Sequence, residues 1–146
     1  MIRLTKIFHF EMAHAIHGYP GACKNIHGHS YELHVTVASS HEEEGYIPAP
    51  GFLIDFKEIK KIVTTAIVEN LDHKVVLSHH FLLENPSFFS PENLVTWQQE
   101  PTAENMLLFI KTTLSEKFPA NIKIAQLKLY ETRDSYAEWI NTNIYN

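Results

Sequence analysis

Residues 28–38 carry a two-residue period: Leu33, Val35 and Val37 fall on one face, His34 and Thr36 on the other. That pattern marks a half-buried strand, and a one-residue slip would turn its apolar set to solvent. His27 and His29 stand at its start, on the face of Leu33 and Val35, because residues two apart on a strand project the same way. The chain's single cysteine lies four residues ahead, in Cys23-Lys24-Asn25-Ile26-His27-Gly28-His29. One metal ion could take an imidazole from each histidine. A thiol near the ion but not bound to it would be available for chemistry.

Partial alternation over residues 2–14 predicts another strand, ending at His14, before Gly18, Pro20 and Gly21 break the chain into a loop. Pairing of 2–14 with 28–38 would bring His14 near His27 and His29. Residues 39–51 are polar and rich in turn formers. Asp55, with Glu58 three residues on, predicts a helix start. Ile59, Ile62, Val63, Ala66 and Ile67 then recur at helical spacing as far as Leu71. Residues 74–100 read as irregular, with a short strand allowed at 94–97. Thr102 predicts the cap of a second helix striped by Met106, Leu107, Ile110 and Leu114. Two strands near 121–131 and 136–142 flank the turn sequence Thr132-Arg133-Asp134-Ser135. The order is β-β-α-α-β-β, an α+β arrangement that 146 residues fit as one domain over 1–146.

A net charge of −5 argues against a nucleic-acid surface. One cysteine excludes an internal disulfide. The sequence shows neither a secretory leader nor an apolar run near the roughly 20 residues that span a bilayer. A cytoplasmic protein with no membrane partner is the expectation.

Ten histidines are the unusual count. A catalytic Zn²⁺ commonly has three protein ligands and one open position. His27 and His29 supply two, and His14 is the best third. His17, His34, His73, His79 and His80 compete on spacing alone. Hard cations such as Mg²⁺ prefer oxygen. His-Gly-His also reads as an ordinary loop-to-strand junction. Cys23 reads in three ways: a fourth zinc ligand, an inert thiol, or a thiolate base in a Gly/Pro-flanked loop. Asp72-His73 reads as a solvated helix end or as a carboxylate that orients an imidazole for proton transfer. Glu131 falls on the apolar side of its strand with Leu127 and Leu129, where a carboxylate needs a partner. A salt bridge would serve, as would the paired N–H donors of a guanine or pterin edge. Glu104 reads first as part of the helix start.

The ordered set Phe10-Glu11-Met12-Ala13-His14, Cys23 with His27-Gly28-His29, Asp55-Phe56, Leu71-Asp72-His73, Pro101-Thr102-Ala103-Glu104-Asn105 and Glu131-Thr132 resembles the 6-pyruvoyl- and 6-carboxy-tetrahydropterin synthase family. The resemblance implies the tunnelling fold: a four-stranded antiparallel sheet with two helices on one face. Subunits join their sheets into a barrel, commonly a hexamer of two stacked trimers, with active sites between subunits. It implies that His14, His27 and His29 bind zinc. Cys23 would act as base, Asp72 and His73 as its proton-relay partners, and Glu131 would anchor the pterin. The implied lyase substrate is 7,8-dihydroneopterin triphosphate. The bacterial-type wording of the motifs favours 6-carboxy-5,6,7,8-tetrahydropterin as product, on the queuosine route, over 6-pyruvoyl-tetrahydropterin.

Overall fold

The computed structural model describes residues 1–41 and 44–144. Strands β1 (Arg3–His14) and β2 (His27–Ser39) pair antiparallel, with Phe8 opposite Leu33, Phe10 opposite Tyr31 and His14 opposite His27. The even residues of β1 and the odd residues of β2 therefore share one face. Phe8, Phe10, Met12, Tyr31, Leu33, Val35 and Val37 are buried along it.

Asp55 caps helix α1 (Phe56–Val63), its carboxylate accepting from the Lys57 N–H at 2.8 Å. The chain continues through a π-helical stretch, Thr64–Val68, into the single turn α2 (Glu69–Leu71). Ile59, Val63, Ile67 and Leu71 are buried at a strict spacing of four. A spacing of four drifts around a 3.6-residue helix, and the wider i→i+5 turn counters that drift.

Strand β3 (Lys74–Ser78) then runs parallel to the end of β1, pairing with Met12, Ala13 and His14. Helix α3 (His79–Glu84), capped by Ser78, crosses to strand β4 (Leu94–Trp97), parallel to β3. Thr102 caps helix α4 (Ala103–Leu114), accepting from the Asn105 N–H at 3.2 Å. Strands β5 (Ile122–Thr132) and β6 (Ser135–Ile140) close the chain as a hairpin.

The sheet order is β4-β3-β1-β2-β5-β6. The four expected strands are adjacent and antiparallel within it, and α1 and α4 bury their apolar sides on the same core. The sheet has six strands rather than four, because residues 74–100 are not irregular. Val75-Val76-Leu77 is too short and too uniformly apolar to show a period. Packed with α3, it builds a small second core of Ala15, Leu77 and Phe81. A bulge between Thr36 and Val37 lets Ile124 and Leu127, three residues apart, share the core face. No helix among the described residues is long and apolar enough to cross a membrane.

The other sheet face is polar along the middle of β1 and β2. Thr5 bonds Thr36, Glu32 bonds His34, and Ser30 bonds Glu11 across it. The outer edge of β1 over residues 3–10 and that of β6 have no strand partner among the described residues.

Candidate active site

The core face of β1 and β2 ends in three histidines. His14, the last residue of β1, and His27, the first of β2, are register partners; His29 is the next residue inward on the same face of β2. One ring nitrogen from each lies within 4.8 Å of the others. His14 is 2% exposed and packs on Tyr31, which forms the floor.

Two of the three outer ring nitrogens have their own acceptors. His14 Nδ1–H donates to the Pro101 carbonyl at 2.7 Å, and His27 Nδ1–H to the Asn25 carbonyl at 2.7 Å. Those bonds fix the tautomer that leaves Nε2 unprotonated, as supporting carbonyls do for metal-binding imidazoles. The two Nε2 atoms then face each other at 3.2 Å, lone pair to lone pair. His29 Nε2 is buried with no hydrogen-bond partner among the described residues. Three converging imidazoles, two of them with the Nε2 lone pair free, are the donor set a cation needs. Burial holds both His14 and His29 below the usual imidazole range, against the pull of the Glu131 charge. Both rings are therefore neutral near pH 7 and ready to ligate. Burial, then the Glu131 charge, pushes the Tyr31 hydroxyl far up, so it stays protonated.

Glu131, near the end of β5, points its carboxylate at this cluster. Its oxygens lie 3.5 Å from His29 Nε2 and 3.9 Å from His14 Nε2. Cys23 sits in a 3-10 turn, Ala22–Lys24, and lies outside the set of three converging ligand atoms. It lines a cavity of about 320 Å³ together with His14, Tyr19, Thr102, Glu104 and Glu131. The cavity mouth thus joins β1, the 15–26 loop, the start of α4 and the β5–β6 hairpin.

Asp72 and His73 meet each other but do not reach this cavity. Asp72 Oδ2 lies 3.0 Å from His73 Nδ1, and its Oδ1 accepts from the Glu11 N–H at 2.8 Å. The Glu11 bond is the main cause holding the Asp72 carboxyl below its usual range, and His73 adds to it. His73 has φ 59°, a left-handed conformation costly for a residue with a Cβ. Its carbonyl accepts from Asn93, its N–H donates to Glu11, and its side chain is 79% exposed. His73 opens on a second cavity, which Glu11, His29, Ser30, Lys74 and Asn93 also line. Within one chain, the carboxylate orients the imidazole but delivers it to the outside.

The family model described as 6-pyruvoyl tetrahydropterin synthase matches residues 3–141. The chain belongs to that family. It is an enzyme, of the family's lyase type. It is 31% identical over 143 residues to a 6-carboxy-5,6,7,8-tetrahydropterin synthase of Haemophilus influenzae, covering 95% of this chain and 99% of that one. The enzyme of the same name from Rickettsia typhi is 30% identical over 145 residues, covering 94% and 99%. The solved 6-pyruvoyl tetrahydropterin synthase of Plasmodium falciparum superposes with a TM-score of 0.71 at 19% identity, covering 94% and 96%. That likeness concerns the fold, the tunnelling fold expected from the sequence.

Several members of the site have no sequence motif of their own. The Pro101 carbonyl is a backbone group, and Tyr31 reads only as core. Tyr19 enters the cavity wall because its ring folds over Gly21. A Cβ at Gly21 would collide with that ring. Gly21→Ala is therefore expected to swing Tyr19 aside, raise the substrate KM several-fold, and cost under about 1 kcal/mol of stability, since a flexible ring can yield. Steady-state kinetics beside thermal melts checks this, and an unchanged KM would show that Tyr19 does not meet the substrate.

Proposed function

We propose that this chain converts 7,8-dihydroneopterin triphosphate and one water to 6-carboxy-5,6,7,8-tetrahydropterin, releasing triphosphate and acetaldehyde, with Zn²⁺ held by His14, His27 and His29. The observation that carries the reading is the convergence of three imidazoles, with Glu131 3.5 Å from His29 Nε2, at the edge of a cavity that His14, Cys23 and Glu131 line. Its chemistry suits a polyhydroxylated side chain on a flat ring with paired N–H donors. A zinc ion supplies Lewis-acid polarisation of side-chain oxygens and makes adjacent protons easier to remove.

The chain's own residues then divide the work. Glu131 accepts the ring's paired N–H donors and fixes its orientation. Cys23, near the ions' ligands but off them, takes a proton from the substrate side chain as thiolate. Asp72 holds His73 in one orientation for the second proton-transfer role. The relatives' name, 6-carboxy-5,6,7,8-tetrahydropterin synthase, favours the carboxy product.

His73 faces away from Cys23's cavity in its own chain, so we assign it to the site of a neighbouring copy. The open edges of β1 and β6 give oligomerisation a physical motive, because unpaired strand edges invite pairing. A hexamer of two stacked trimers, each closing its sheets into a barrel, is the assembly proposed. Mixing tests it. Cys23→Ala and His73→Ala chains are each expected to be inactive alone. Co-expressed, they should regain about a quarter of wild-type activity, the random-mixing fraction for a two-chain site. No recovery in mixed oligomers contradicts the shared site.

The function itself is tested by incubating zinc-loaded protein with 7,8-dihydroneopterin triphosphate and reading products by mass spectrometry. The carboxy product with one acetaldehyde is expected. The pyruvoyl product without acetaldehyde would assign the alternative reaction, and no turnover would reject both.

A further inference from the structure

The loop that carries Cys23 runs from His14 to His27, and Ile16 N–H closes it on the Cys23 carbonyl at 2.8 Å. Besides the packing of Ala15 on Leu77 and Phe81, the loop is held to the rest of the protein by the His17 N–H, which donates to Glu100 Oε2 at 2.8 Å. Among the described residues, no other hydrogen bond joins this loop to an element beyond the two strands it connects.

Glu100 is itself held at the mouth of α4. Its carbonyl accepts from the Thr102 N–H at 2.8 Å and from Asn105 Nδ2 at 2.9 Å. The next residue, Pro101, offers the carbonyl that sets the His14 ring. Thr102, one further on, lines the cavity. A three-residue stretch thus touches the histidine cluster, the Cys23 loop and the cavity wall. Glu100 Oε1 is buried with no hydrogen-bond partner among the described residues. Burying a carboxylate oxygen without a donor is costly. The cost identifies a side chain kept for the reach of its other oxygen.

We propose that Glu100 is a positioning residue: its Oε2, through the His17 N–H, sets the register of the Cys23 loop against His14. The inference rests on the catalytic reading of Cys23 given above. It requires reach and an acceptor oxygen, and it does not require negative charge. Glu100→Gln keeps both reach and acceptor. Glu100→Asp keeps the charge but withdraws the oxygen by a methylene. Glu100→Ala removes everything.

The experiment compares the three zinc-loaded variants with wild type for kcat, KM and zinc content. It also measures the rate of Cys23 alkylation by iodoacetamide across pH. Glu100→Ala and Glu100→Asp are expected to lose about 10- to 100-fold in kcat, the scale of a misplaced reacting group, with KM within about threefold. Their alkylation rates should shift by about threefold or more while zinc stays bound. Glu100→Gln should return to within about threefold of wild type in both readouts. Rescue by Asp and not by Gln would overturn the proposal in favour of charge. So would wild-type rates and alkylation in Glu100→Ala. If Glu100→Ala does not fold, the Asp and Gln pair decides alone. If wild type shows no pterin turnover, the functional reading fails, and the alkylation rates still decide whether Glu100 sets the loop.

Discussion

Replacing Cys23 with alanine is expected to lower turnover by about 100- to 10,000-fold, the range a positioned general base supplies. Zinc should remain at one ion per chain. The two outcomes separate because Cys23 lines the cavity without joining the three converging ligand atoms. It occupies a 3-10 turn with no buried residue, so its side chain contributes little packing. The melting temperature should hardly move, because substitutions away from buried features change stability within about 0.5 kcal/mol. Rates, metal analysis and thermal melts on one preparation check all three. Loss of zinc from Cys23→Ala would make the cysteine a ligand. Unchanged turnover would make it a bystander.

The second large effect is expected at His14. Alanine there removes a proposed ligand that is 2% exposed and leaves the Pro101 carbonyl without its 2.7 Å donor. It also opens space above Tyr31, whose ring meets the His14 ring edge-on. Zinc affinity should fall by more than about 100-fold, beyond the cost of losing a mere supporting group. Turnover should fall to background. The metal-free protein should lose about 2–4 kcal/mol of stability, from the unpaired carbonyl and the cavity together. His27→Ala is the control. Its ring is half-buried at the loop end, so it should lose zinc and turnover with a smaller penalty to the fold. Isothermal titration with zinc and chemical denaturation measure both. Full zinc occupancy and near-normal turnover in His14→Ala would refute its place as a ligand.

The histidine cluster was legible because strands impose geometry on spacing. The period of Leu33, Val35 and Val37 fixed which way His27 and His29 point. A hairpin-like pairing with 2–14 then made His14 the best third candidate, and the register of β1 on β2 sets it opposite His27. Glu131 was legible for the same reason, as a carboxylate in phase with Leu127 and Leu129. The β3-α3-β4 unit was not legible. Its strands are five and four residues long, and its packing comes from Ala15, Leu77 and Phe81, brought together only by the fold. Nor could spacing show that His73 faces a second cavity. That depends on the Glu11 backbone holding Asp72 and His73 and on the left-handed turn at His73. Glu100 left no trace in the sequence pattern either, because its partner is a backbone N–H in a loop.

The division of labour at this site, imidazoles on the metal and sulfur off it, is tested most directly by zinc K-edge X-ray absorption on the wild-type protein. The expected first shell contains only nitrogen and oxygen scatterers near about 2.0–2.1 Å, with the multiple-scattering pattern of three imidazoles. A sulfur scatterer at about 2.3 Å would place Cys23 on the zinc and contradict the account.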